Sequence, residues 1–339
     1  MCRGADYALP SLRRERRGPP FPMSQAAAET RDQRMTRPRV SVIIPTYNRA
    51  QYVCEAIESV LAQTYRDFEI IVVDDSSTDD TEERLRPYMD RIRYTRQANA
   101  GPSVARNRGI LASSGEYTAF LDSDDLGNAE RKRERHVAVF ERMPDVGAIY
   151  TNYVYGETPA DPRVLSRHPG IQPPSGDVFL AMAEANLAGC SSSIVVRKSA
   201  FAEAGLFDPT LKGLEDYDLW IRLAAVTRFH YVQEPCAFVR KGPHDHLAKS
   251  TRSLEDTVRS AELQFARWAG RKDVSDRLLV NYLHRQANLA WHYRSTGRFT
   301  DAGRRFLKAS KCCSARGERW RYRIRALVYV CFPRLVRQR

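Results

Sequence analysis

Apolar and polar positions along this chain switch period in a way that alternates strands with helices. The run VSVIIP from Val40 is continuously apolar and stops at Pro45, which predicts a short buried strand. In YVCEAIESVLAQT, Val53, Ile57, Val60 and Leu61 fall at i, i+4, i+7 and i+8, one face of a helix. FEIIVVDD reads as a second, fully apolar strand, and SSTDDTEERL as a helix start with Ser or Thr ahead of first-turn acids. IRYT is a third strand, PSVARNRGILAS a helix and EYTAFLD a fourth strand. Strands apolar on both faces and spaced by helices predict an α/β domain with a mostly parallel central sheet between helical layers.

Beyond residue 130 the rhythm loosens. VGAIYTNYVY and CSSSIVVR read as strands, DYDLWIRLAAV as a helix, and FHYVQEPCAFVR as a strand pair broken by Pro235. From about 251 the pattern is helical and basic, and NYLHRQANLAWHYRSTGRFTDAGRRFLKAS predicts a helical hairpin with Gly297 at its turn. Residues 1–38 are rich in Arg, Pro, Ala and Ser without periodicity, so a disordered basic leader is expected there. The chain therefore divides into a leader (1–38), an α/β domain (39–250) and a helical basic extension (251–339).

Charge narrows the candidate partners. The formal net charge of +13 favours anions: nucleic acid, an acidic membrane surface or a phosphorylated small molecule. No nucleic-acid-binding module accompanies the charge, so no nucleic-acid partner is expected. The seven cysteines include no C-x-x-C pair, and their odd number and scatter argue for a reducing compartment. No apolar run approaches the roughly 20 residues that span a bilayer. These features together point to the cytoplasm. The basic, apolar-interleaved stretch RWRYRIRALVYVCFPRLVRQR makes the inner face of the cell membrane a candidate contact.

The chemistry should lie at the carboxyl edge of the sheet. Two strands end there in acids: one supplies Asp74 and Asp75, the other Asp122, Asp124 and Asp125. Carboxylates so crowded repel one another, and something positive is required among them. Hard oxygen ligands in this pattern suit Mg2+ or Mn2+, which bind few carboxylates and fill their shell with substrate phosphates. Neither G-x-x-x-x-G-K-[ST] nor G-x-G-x-x-G occurs, so the P-loop and dinucleotide folds lack their phosphate cradle. Glu215 and Asp216, in GLEDYDLWIRL, form a separate acidic pair; acids there also suit a helix N-terminus. Asp218 is read as structural and Cys190 as packing.

VSVIIPTYNRAQYVCEAIESVLAQTYRDFEIIVVDDSSTDDT, NAGPSVARNRGI, GEYTAFLDSDD and EDYDLWIRL, in that order, resemble a family 2 glycosyltransferase of the GT-A fold over about 40–250. The resemblance implies that Pro45, Thr46 and Tyr47 border a nucleotide, that Asp75 bonds its base, and that Arg106 and Asn107 help hold the donor. It implies that Asp122, Asp124 and Asp125 form the metal motif, with Asp124 and Asp125 closest to the metal and the donor sugar. It places the catalytic base at Glu215–Asp216, usually the aspartate. Arg240, His244 and His246 fall where relatives close a loop over the diphosphate, although the spacing here departs from the usual pattern. The expected function is single-sugar transfer with inversion from a nucleotide-diphosphate sugar, a UDP-sugar first, to a glycan or lipid-linked acceptor in cell-surface polysaccharide or lipopolysaccharide assembly. Two rivals are a nucleotidyltransferase using the same acidic metal site, which leaves Glu215–Asp216 unexplained, and a non-catalytic scaffold working through its basic tail.

Overall fold

The computed structural model describes residues 37–127, 132–160, 163–165, 173–241 and 250–312. The first half follows the alternation of the sequence: β1 (Val40–Thr46), α1 (Ala50–Leu61), β2 (Phe68–Asp74), α2 (Thr81–Leu85), β3 (Arg93–Arg96), α3 (Pro102–Ala112), β4 (Tyr117–Phe120) and β5 (Leu126–Gly127). There follow α4 (Lys132–Arg142), β6 (Val146–Thr151), β7 (Tyr153–Gly156), β8 (Arg163–Leu165), α5 (Phe179–Glu184), β9 (Ile194–Arg197), α6 (Phe201–Ala204) and α7 (Glu215–Ala224). The described chain ends with β10 (Arg228–Val232), β11 (Ala237–Arg240), α8 (Thr251–Arg267), α9 (Lys272–Ser295) and α10 (Phe299–Cys312).

Seven strands form the main sheet in the order β10-β6-β9-β4-β1-β2-β3. β1 pairs in parallel with β2 and β4, and β2 with β3, so Thr46, Asp74 and Phe120 end at one edge. β9 runs antiparallel between β4 and β6, which brings its leading residues, Cys190–Ser193, to that same edge. Four short strands, β5-β11-β7-β8, make a second sheet that the sequence pattern did not separate from the first.

All seven positions of β1 are buried, because both faces of the sheet are covered. Val42 and Ile44 face a core with Val53, Ile57 and Val60 of α1, while Ile43 faces the opposite core with Ile110, Phe120 and Trp220. Each such side chain contributes about 1.5–3 kcal/mol when removed from water. Gly109 lets α3 lie close on β1, since a Cβ there would sit 2.4 Å from Ile43 Cγ2. That close seat sets the height of Arg106, one turn earlier on the helix.

The helices after residue 250 have their own small core of Val258, Leu289, Ala290, Tyr293, Ala302 and Phe306. They are also fastened to the α/β layer. Arg267 donates to Asp208 and Asp218, the Trp268 ring lies 5.1 Å from that of Phe179, and the Asn281 amide donates to the Tyr217 hydroxyl and the Glu184 carbonyl. Gly297 turns between α9 and α10 at a φ of 76°, as the hairpin pattern requires. No helix among the described residues is long and apolar enough to cross a membrane.

Candidate active site

The loops after β1 and β2 are tied into one rim. Asn48 adopts a left-handed φ of 50°, and its side-chain oxygen accepts from the Thr78 N–H at 2.7 Å while its own N–H donates to Ser77 Oγ at 2.9 Å. Asp79 accepts from the Ala50 N–H at 3.1 Å, joining the start of α1 to the opposite loop. Pro45 and Thr46 are buried at this rim, the Thr46 hydroxyl without a hydrogen-bond partner among the described residues, and Tyr47 stands 46% exposed.

Asp75 is 4% exposed, and its carboxylate already accepts from Gln97 Nε2, the Ala100 N–H and the Gly101 N–H. The carboxylate implied to meet the base thus also has an organising role. It shapes the loop that turns at Gly101 and starts α3 at Pro102. The Asn107 amide donates to the Phe207 carbonyl at 2.8 Å and accepts from the Phe207 N–H at 2.9 Å. Both halves of that amide hold α3 to the following layer.

The three carboxylates after β4 diverge. Asp122 Oδ1 accepts from Arg106 Nη2 at 2.7 Å, and Asp124 Oδ2 lies 3.5 Å from Arg49 Nε. Asp125 accepts from Ser192 Oγ at 2.6 Å and from the Arg240 N–H at 3.1 Å. Ser192 Oγ also accepts from the Asp122 N–H at 3.0 Å, so one hydroxyl clips both ends of the acidic turn. Burial pushes the carboxyls of Asp124 and Asp125 upward, and the nearby Asp122 charge adds to both shifts. Among the described residues no three His, Cys, Asp or Glu side chains converge as a ready metal cage.

The donor set nevertheless fits a hard divalent ion of the kind that needs only one or two protein carboxylates. Asp122 and Asp124 have side chains 30% and 37% exposed at the sheet edge and would hold it. Asp125, at 3% exposed, also holds the turn through Ser192 and the Arg240 N–H. The Arg240 guanidinium donates to the Asp124 carbonyl and to Glu55, and stacks 4.7 Å over the Tyr52 ring. His244 and His246 lie outside the described residues.

The second acidic site is built by backbone geometry. Gly213 and Leu214 have φ of 121° and 60°, left-handed values that reverse the chain immediately before α7. Leu214 is a costly place for a branched side chain, and such strain is found where a site over-determines the backbone. The turn brings Glu215 Oε1 to 3.2 Å from Arg106 Nη1 and leaves Asp216 Oδ1 accepting from the Tyr217 N–H at 2.6 Å. Burial, then the Glu215 charge, push the Asp216 carboxyl up to about 7, against the pull of Arg106. Asp218, 1% exposed, pairs with Arg222 and Arg267 and is structural, as its place in the sequence suggested.

Arg106 thus supplies a positive charge that the acid cluster demanded. It is 6% exposed, bridges Asp122 to Glu215, and rests 5.4 Å from the Phe207 ring centroid. Its guanidinium is held above its ordinary pKa by the two carboxylates. Residues that sequence reasoning did not assign to the site are Arg49, Ser192 and Cys190. The half-buried Cys190 thiol is pushed up by burial and by the charges of Asp125, Asp122 and Asp216.

Known proteins resemble this chain in sequence and in fold. Residues 41–204 match the Glycosyl transferase family 2. An uncharacterized glycosyltransferase of Rickettsia typhi is 33% identical over 243 residues, 69% of this chain and 71% of that protein. Among solved structures, residues 1–349 of S. aureus TarS in complex with UDP-GlcNAc align with a TM-score of 0.59 at 18% identity, covering 88% of this chain and 91% of that one. The mannosyltransferase PcManGT of Pyrobaculum calidifontis, in complex with GDP-Man and Mn2+, aligns with a TM-score of 0.54 at 19% identity, with 88% of each chain covered. The longer TarS chain is matched over 54% of its length. By these likenesses in sequence and fold, the chain belongs to the family 2 glycosyltransferases and is an enzyme of the GT-A fold.

Proposed function

We propose that the enzyme transfers a single sugar, with inversion, from a nucleotide-diphosphate sugar to a hydroxyl of a glycan or glycolipid acceptor. The observation that carries this reading is the placement of two acidic sites on opposite ends of one buried arginine. Asp216 takes the proton of the acceptor hydroxyl as its oxygen attacks the anomeric carbon. Its upward-shifted carboxyl matches a base that works near neutrality. Asp122 and Asp124 would hold Mn2+ or Mg2+, which supplies positive charge to the departing diphosphate when bound. Tyr47 and Thr46 border the nucleotide, and Arg49, beside Asp124, adds a cation on the phosphate side.

The nucleotide-sugar donor draws support from solved relatives that hold UDP-GlcNAc or GDP-Man. Assembly of cell-surface polysaccharide or lipopolysaccharide at the inner membrane face is the setting we assign. The basic stretch proposed to meet anionic lipid lies outside the described residues. A direct test uses water as the acceptor of a turned-over donor and follows the released sugar by proton NMR before mutarotation. An α-linked donor is expected to release the β-anomer first; first release of the α-anomer would overturn the direct role given to Asp216.

A further inference from the structure

The acidic turn after β4 is gripped from two sides by residues distant in sequence. Within the turn, the Asp125 N–H donates to the Asp122 carbonyl at 2.9 Å and closes the chain over Ser123 and Asp124. Ser192 approaches from one side, in the short turn Ser191–Ser193 that leads into β9. Its fully buried hydroxyl accepts from the Asp122 N–H at 3.0 Å and donates to Asp125 Oδ2 at 2.6 Å. Arg240 approaches from the other side, at the end of β11. Its N–H donates to Asp125 Oδ1 at 3.1 Å and its Nε to the Asp124 carbonyl at 3.1 Å. Arg240 is itself fixed by Glu55 at 2.6 Å and by the Tyr52 ring.

Asp125 is thereby the anchor of the turn. A carboxylate only 3% exposed needs donors on its oxygens, and here each oxygen takes one from a different strand. The Ser192 hydroxyl serves this anchor and the backbone of Asp122 with a single oxygen. Its loss would take the donor from Asp125 Oδ2 and the acceptor from the Asp122 N–H at once. Asp125 would then turn to regain a partner, and the two partly exposed carboxylates of Asp122 and Asp124 would shift with it. Small hard cations demand near-ideal geometry, so such a shift is felt as lost affinity.

We propose that Ser192 is a positioning residue for the divalent ion: it sets the spacing at which Asp122 and Asp124 meet the ion and touches neither ion nor substrate. Ser192 lies 67 residues beyond Asp125, so a strand from the second half of the fold presets the metal turn of the first. This rests on the assignment of Asp122 and Asp124 as the metal site.

The test is calorimetric titration of the best nucleoside diphosphate into the full-length protein, in chelator and over a series of Mn2+ concentrations. The Mn2+ concentration that restores half of the tight binding reports affinity for the ion without turnover. In Ser192→Ala that concentration should rise about ten- to a hundredfold, the usual effect of removing a group that orients metal ligands from behind. Nucleotide affinity in chelator should equal that of wild type. Ser192→Thr retains the hydroxyl and should keep most of the wild-type response, and denaturant unfolding of each variant verifies that it is folded. An unchanged Mn2+ response in Ser192→Ala overturns the proposal, even where its unfolding midpoint falls, because the hydroxyl would then be structural only. Equal weakening with Mn2+ and with chelator also overturns it, as does a folded Ser192→Thr as impaired as Ser192→Ala. Asp124→Asn separates this failure from that of the underlying reading. A wild type that needs Mn2+ through Asp124, beside an unaffected Ser192→Ala, overturns this proposal alone. Wild-type binding indifferent to Mn2+ overturns the metal site and the proposal together.

Discussion

Asp216→Asn is expected to lower kcat by roughly 10^2–10^4, the usual worth of a positioned general base, with nucleotide affinity unchanged. The same substitution should stabilise the folded enzyme near neutral pH. In the unfolded chain Asp216 ionises near 3.8, whereas in the folded protein it holds its proton to about 7. A carboxyl whose folded pKa is raised opposes folding, because the unfolded state releases the proton first. The penalty is absent below about pH 4, grows between about 4 and 7, and is constant above that window. A shift of about three units sets an upper limit of about 4 kcal/mol, and partial solvent access brings the expected gain to roughly 1–3 kcal/mol. Denaturant unfolding of wild type and variant at about pH 4 and about pH 8 checks this: the midpoints should coincide at the lower pH and separate at the higher. Activity has the opposite sign, since the working base is the ionised form, so wild-type kcat should rise through about pH 7. Equal stability at both pH values would show that Asp216 is an ordinary exposed acid.

Arg106→Ala carries the second large effect. Its removal leaves Asp122 and Glu215, whose side chains are 30% and 16% exposed, facing a cavity without their shared cation. Breaking a buried pair in this way costs about 3–5 kcal/mol, because the remaining charges stay desolvated. Arg106→Lys keeps one charge but cannot reach 2.7 Å and 3.2 Å contacts with separate nitrogens of a planar fork, so it should recover only part of the loss. The triple variant Arg106→Met, Asp122→Asn, Glu215→Gln should regain most of the stability while remaining inactive, since a neutral replacement carries no orphaned charge. A triple variant as unstable as Arg106→Ala would mean that Arg106 acts through its packing on Phe207 rather than through its charge.

Much of the fold was legible because its central strands are buried on both faces. VSVIIP and FEIIVVD admit no other reading than short interior strands, and the parallel pairing then puts Thr46, Asp74 and Phe120 at one edge. The acidic turn was legible for the converse reason: Asp122, Asp124 and Asp125 break an apolar strand abruptly. What periodicity could not convey was direction and long-range company. CSSSIVVR reads as a strand either way, yet its antiparallel insertion between β4 and β6 is what delivers Ser192 to Asp122 and Asp125. Arg106 reads as a polar position on a helix and is instead buried between carboxylates separated by 93 residues in sequence, from Asp122 to Glu215. The intramolecular partners of Asn107 and Asp75, the Phe207 backbone and the 97–101 loop, likewise could not be read from the sequence. Arg267 is unreadable in this respect, because only the tertiary packing of α8 brings it to Asp208 and Asp218.

The most direct measurement is calorimetric titration of a panel of nucleoside diphosphates into the wild-type enzyme, first with Mn2+ and then with a chelator. Asp122 and Asp124 as a phosphate-sharing metal site require one nucleotide to bind with the ion and to lose roughly tenfold or more in affinity without it. Binding that is equally tight in chelator, or no binding by folded protein, would contradict the account at its centre.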